Sequence, residues 1–123
     1  MQLKLFKNKL SVCKLETLEE ALHVEKDALY FLSVTDDEIS LVCNTEQKPA
    51  NPLSVEDCWR AIKIVGELDF SLVGILAKIS TLLANAAVPI FAVSTYNTDY
   101  ILVKEDKLTT ALNTLTEAGY SFI

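Results

Sequence analysis

Residues 69–74 and 94–99 carry polar groups at spacings that could do chemistry. Asp69-Phe70-Ser71-Leu72-Val73-Gly74 stands at the head of an apolar run with helical spacing, and Ser94-Thr95-Tyr96-Asn97-Thr98-Asp99 interrupts two apolar, alternating segments. A helix beginning at Ser71 or Leu72 leaves main-chain N–H groups without intrahelical acceptors, and the positive end of its dipole favours an anion there. Gly74 lacks the Cβ that would hold a carboxylate away. The second run offers the Thr95 hydroxyl, the Asn97 amide and the Asp99 carboxylate, a set able to hold a small zwitterion by its ammonium and polar edges. Each run also has a purely structural reading. Ser71 can cap the helix and Gly74 can allow close packing on a sheet, while Asn97 and Asp99 can bond to their own turn.

The remaining reactive residue types argue against catalysis. His23 is the only histidine; among Glu19, Glu20 and Glu25 it reads as a solvated helix-end residue, without companions for a metal. No serine has a second histidine to activate it, and no phosphate-loop or dinucleotide fingerprint occurs. The expectation is a non-enzyme with no catalytic residues, no metal and no cofactor. Cys13, Cys43 and Cys58 are an odd set at wide spacing, which predicts reduced, mostly buried thiols in place of a disulfide framework or zinc ribbon. Trp59, beginning a strand, reads as a packing residue more than a stacking surface.

A net charge of −6, with Arg60 the only arginine, disfavours nucleic acid as a partner. No apolar run reaches the roughly 20 residues that span a bilayer, and residues 1–10 lack a signal-peptide pattern, so the expected setting is cytoplasmic with no membrane partner.

The elements that would position these groups follow from periodicity. Leu3–Phe6 and Leu10–Leu15 read as a hairpin around Lys7-Asn8-Lys9, Thr17–Leu22 as a short helix, and 28–34 with 38–43 as a second hairpin around Thr35-Asp36-Asp37. Residues 44–57, with Pro49 and Pro52, read as a long connection, which places a boundary between units 1–57 and 58–123. From Trp59 the order is βαββαβ: a strand through Ile62 and Ile64, a helix carrying Leu72, Ile75, Leu76, Ile79, Leu82, Leu83 and Ala86, strands at 89–95 and 100–103, a helix at 107–118 and a last strand at 120–123. Asp106 is the expected N-cap of the second helix, and Gly119 its left-handed C′ residue. This order predicts an α+β, ferredoxin-like arrangement with antiparallel sheets and the helices on one face. The first half reads as a trimmed version of the plan, with no residue-level repeat between halves.

The segment WRAIKIVGELDFSLVGILAKISTLLANAAVPIFAVSTYNTDYILVKEDKL resembles the small tandem ACT-domain proteins of bacteria and is similar to the ACT repeats of the eukaryotic cytosolic arginine sensors. LDFSLVGIL and STYNTDYILV occur together at the family's separation, and the SVCKL strand with the FLSVTDDEISLVC hairpin fits a shortened N-terminal ACT unit. The resemblance implies two ACT units and a regulatory module that binds a free amino acid at an interface between ACT units, as a homodimer or higher homo-oligomer. It carries the ligand site onto Asp69, Phe70, Ser71, Leu72, Gly74 and Ile75 of the loop and onto Thr95, Tyr96 and Asp99 of the hairpin. The arginine sensors have acidic residues where this chain has Ser71 and Leu72, a departure that argues against arginine. The alternative is a ligand-independent oligomerisation module of the same fold, whose sheet edges pair between subunits.

Overall fold

A computed structural model describes residues 1–25, 27–66 and 73–123. They divide into two compact units, one made of Met1–Lys7 with Arg60–Ile123 and the other of Asn8–Trp59.

The larger unit is built from β1 (Gln2–Leu5), the end of β5 (Ser54–Ile64), α1 (Ile75–Asn85), β6 (Ile90–Ser94), β7 (Asp99–Lys104), α2 (Leu108–Glu117) and β8 (Ser121–Phe122). Its strands lie in the order β6-β7-β5-β1-β8. The expected βαββαβ order is present, and β1 has entered it. β1 pairs antiparallel with β5, Leu3 opposite Ile64, and parallel with β8, Leu3 opposite Phe122. The predicted hairpin of residues 3–6 with 10–15 therefore does not form. Leu3 alternates inward as a strand residue should, but the partner it meets lies at the far end of β5, where burial against Ile62, Ile64 and Leu115 is available.

Both helices pack on this sheet through the stripes their spacing dictates. Ile79 and Leu83 of α1 and Ala111 and Leu115 of α2 are buried, and Ile75, Leu76, Leu82, Leu108 and Leu112 pack beside them. α1 begins at Ile75 after Gly74, which holds a φ of 81°, a left-handed conformation that cannot continue a right-handed helix; the expected start at Ser71 or Leu72 lies outside the described residues. Asp106 is not the cap of α2: residues Glu105–Lys107 form a 3₁₀ turn that runs straight into the helix, and the Leu108 N–H donates to the Glu105 carbonyl.

Both helices end alike. Tyr120 N–H donates to Leu115 and Gly119 N–H to Thr116, and in α1 Val88 N–H donates to Leu83 and Ala87 N–H to Ala84. These pairs define Schellman closures with a left-handed C′ residue. Gly119 meets that demand at φ 100°, as expected, but α1 places Ala87 there at φ 58°.

The smaller unit contains β2 (Leu10–Leu15), β3 (Phe31–Val34), β4 (Ile39–Asn44) and the start of β5, in the order β3-β4-β2-β5. It follows the same strand plan, with the 3₁₀ turn Leu18–Ala21 in the place of α1; a second 3₁₀ turn, Thr45–Gln47, corresponds to Glu105–Lys107, and the next element is β5, with no helix in the place of α2. The short helix expected at 17–22 is the first of these; the Glu20 carboxylate accepts the Thr17 N–H at 3.0 Å and closes its entry. β5 begins at Ser54, so the connection expected over 44–57 is shorter than its prolines suggest. Opposite Ser11 the strand bulges at Asp57 and Cys58, the register passing from Leu10↔Trp59 to Val12↔Glu56, and Cys58 takes a φ of 68°. The buried Ser11 hydroxyl donates to Asp57 Oδ1, and Lys48 Nζ lies 3.2 Å from the same oxygen. This bulge corrects the expectation of mostly buried thiols at one position, since it turns Cys58 out to solvent while Cys13 and Cys43 stay in the core. Burial pushes the Cys43 thiol up to about 12 and raises that of Cys13, so both behave as small apolar residues.

The two units share a repeat that was not evident in the sequence. Residues 31–47 and 91–107 have the same strand, turn, strand and 3₁₀ turn, and β4 and β7 bury the same three positions, Leu41-Val42-Cys43 and Ile101-Leu102-Val103.

Among L residues the left-handed region costs about 1 kcal/mol. Ala87→Gly is therefore expected to raise the stability of the chain by roughly 0.5–1 kcal/mol, read as a higher urea midpoint with an unchanged slope. An unchanged or lower midpoint would show that the Ala87 turn carries no strain.

Candidate functional site

Gly74 opens α1 with no side chain capping it among the described residues, and Lys78 N–H already takes the Gly74 carbonyl at 2.9 Å. The amides of the first turn have no intrahelical acceptor. A Cβ built on Gly74 would meet nothing within 4 Å. Close packing against the sheet is thus not what glycine serves here; the left-handed backbone is, and the space beside it is open. Gly74 and Ile75 line a cavity of about 300 Å³ with Val73, Lys78, Gly119 and Tyr120.

Lys78 was missed from sequence. It lies one turn along α1, its ammonium 5.9 Å from the centre of the Tyr120 ring. The available signal was its isolation, since it is the only charged residue between Asp69 and Asp99. A cation, free helix amides and an aromatic wall suit a carboxylate attached to a small organic body.

Thr95, Tyr96 and Asp99 do not line this cavity. They belong to the β6–β7 turn, where Thr95 N–H donates to the Thr98 carbonyl at 2.8 Å, its hydroxyl bonds the same carbonyl, and the Tyr96 ring is exposed. Asp99 is half-buried and accepts from the Ser94 hydroxyl. The turn is anchored by Thr98, a residue not among the expected ligands. Its buried hydroxyl donates to the Ile64 carbonyl at 2.8 Å, which fixes the turn to the last residue of β5. Asp69, Phe70, Ser71 and Leu72 lie outside the described residues.

The repeat separates scaffold from candidate. Thr35 in the smaller unit makes the same turn bond to Glu38 at 3.0 Å that Thr95 makes to Thr98. Thr95 is thereby accounted for by the turn itself. Asp99 stands where the smaller unit has the apolar Ile39, and Thr98 where it has the exposed Glu38.

The model of the ACT domain matches residues 54–117. The chain belongs to the ACT-domain family. Its ACT sequence is 32% identical over 95 residues to the cytosolic arginine sensor for mTORC1 subunit 1 of Bos taurus, a match over 72% of this chain and 29% of that protein. The chain therefore corresponds to less than a third of that relative. The crystal structure of Atu0741 from Agobacterium tumefaciens is similar over 99% of this chain and 91% of that one, with a TM-score of 0.88 and 27% identity. The ligand-free regulatory subunit of aspartate kinase from Thermus thermophilus, 11% identical over 95% of this chain and 96% of its own, shares the fold at a TM-score of 0.63. These neighbours share the α+β, ferredoxin-like fold expected of the chain.

His23 is exposed, its Nε2 donating to the Gln47 carbonyl. No cluster of three or more histidine, cysteine, aspartate or glutamate side chains able to hold a metal occurs among the described residues. No helix among them is long and apolar enough to cross a membrane.

Thr98→Val keeps the shape of the side chain and leaves the buried Ile64 carbonyl without its donor. The expected cost is about 1–3 kcal/mol in denaturant unfolding. A variant as stable as the parent would show that the turn is held by other contacts.

Proposed function

We propose that this ACT-domain chain is a non-catalytic regulatory module that binds a free amino acid at an interface between ACT units. The observation that carries this reading is the first turn of α1, capped by no side chain among the described residues and opened by Gly74 onto a cavity that also holds Lys78. The ligand's carboxylate meets the amides at Gly74 and Ile75 and the Lys78 ammonium. Asp99 and Tyr96, which lie outside that cavity, act from the facing ACT unit, where Asp99 holds the ligand's ammonium and Tyr96 flanks its side chain opposite Ile75. Asp69, Phe70, Ser71 and Leu72 complete the loop, and Thr95 sets the turn. The ligand-binding repeat is 58–123, supported by the strand β1, with 1–57 as the shortened unit. A second copy of the chain supplies the facing ACT unit, which makes the working form a homodimer or higher homo-oligomer in the cytoplasm. Ser71 and Leu72 in place of acidic residues favour an amino acid without a cationic side chain.

A ligand at 100 times its dissociation constant stabilises the folded state by about 2.7 kcal/mol. A thermal-shift panel of the common amino acids at millimolar concentration is expected to give at least one upward shift, abolished by Asp99→Ala in a chain that still folds. No shift from any amino acid, or a shift that survives both Asp99→Ala and Gly74→Val, would contradict the proposed site.

A further inference from the structure

The smaller unit leaves part of the helix-covered face of its sheet open. Leu32 pairs with Leu41, and Val34 with Ile39. Leu41 and Ile39 pair in turn with Cys13 and Leu15 of β2. Directly opposed residues of antiparallel strands share a face, so Leu32 and Val34 stand on the face that carries the buried cluster of Cys13, Leu15, Leu41 and Cys43. The 3₁₀ turn Leu18–Ala21 reaches that cluster through Ala21, and Val24 follows it. It is too short to cover the rest. Leu32 is 41% exposed, Val34 60%, and Leu22, just past the turn, 77%.

The repeat shows that these positions face solvent in both units and that the apolar side chains are what is particular to the smaller one. In the larger unit the positions of Leu32 and Val34 are held by Ala92 and Ser94, which are exposed as well. Small or polar side chains suffice at these positions when they face water. Leucine and valine there are a cost to solubility unless something covers them.

The charge around these side chains bears on the choice of partner. Residues 18–38 hold seven carboxylates and one lysine. Glu19, Glu25, Asp27, Asp36, Asp37 and Glu38 are all exposed, and the last three form the turn directly after Val34. A second copy of this chain would bring the same acidic rim against its like. We propose that this face is the docking surface for a basic amphipathic helix of a partner protein, which lays its apolar stripe on Leu32 and Val34 and its lysines or arginines against the acidic rim.

The test uses the full chain and a fluorescent model helix of leucine and lysine in an amphipathic pattern, with a leucine and glutamate version as the charge-reversed control. Fluorescence anisotropy is expected to show binding of the basic helix only, weakened about tenfold or more by Leu32→Ser with Val34→Ser and unchanged by Leu53→Ser at an exposed apolar site elsewhere. Asp36→Asn with Asp37→Asn is expected to weaken binding and to flatten its salt dependence, and because these turn residues are exposed the variant also serves if the strand variant misfolds. Amide resonances of Leu22, Leu32 and Val34 should shift on titration. Three outcomes would overturn the proposal. They are equal binding of both helices, binding indifferent to Leu32 and Val34 in a folded variant, or self-association of the chain lost on substituting them, which would make a second copy the occupant.

Discussion

The complete ACT unit depends on a strand that arrives from the other end of the chain. β1 lies between β5 and β8, bonded to both, and Leu3 sits fully buried in the cluster that receives α1 and α2. A two-residue strand such as β8 has too few ladder bonds to persist alone. Through β1 it gains a parallel partner, and the Ser121 and Ile123 amides donate to the Met1 and Leu3 carbonyls. The insertion therefore closes the core on which the N-terminus of α1 and the β6–β7 turn are mounted.

Duplication gives the structure an internal control. The two β-turns made by Thr35 and Thr95 show which polar groups a turn of this geometry needs for itself, and those groups need no ligand to explain them. What remains particular to the larger unit is Thr98 tied to Ile64, Asp99 beside it, and Gly74 with Lys78 at the head of α1. The smaller unit departs in the opposite sense. It has a 3₁₀ turn in place of α1 and no counterpart of α2, and on the exposed end of β3 it carries Leu32 and Val34 where the larger unit has Ala92 and Ser94.

Local pattern was readable where local physics decides the outcome. The stripe of Ile79 and Leu83, the left-handed Gly119 and the turn at Thr35-Asp36-Asp37 were all visible in the sequence, because spacing, backbone freedom and turn chemistry act within a few residues. Long-range choices were not. Leu3 alternates equally well for a hairpin with 10–15 and for a place beside Ile64, and only the three-dimensional core distinguishes them. The bulge at Asp57 and Cys58 was hidden because it depends on Ser11 and Lys48, remote in sequence. The repeat was hidden because it preserves burial and turn bonding, with few identities. In the site itself, Gly74 and the Thr95–Asp99 turn were legible by residue type, whereas Lys78 needed the cavity to show that a lone cation on an apolar helix faces an aromatic wall.

The claim that matters most is that the first turn of α1 receives a carboxylate. A crystal structure of the chain grown with the amino acid that stabilises it most tests this directly. The ligand's carboxylate is expected within hydrogen-bond distance of the amides at Gly74 and Ile75, close to Lys78, with its ammonium on an Asp99 carboxylate. A ligand bound at another face of the chain, with the α1 N-terminus left to solvent, would contradict it.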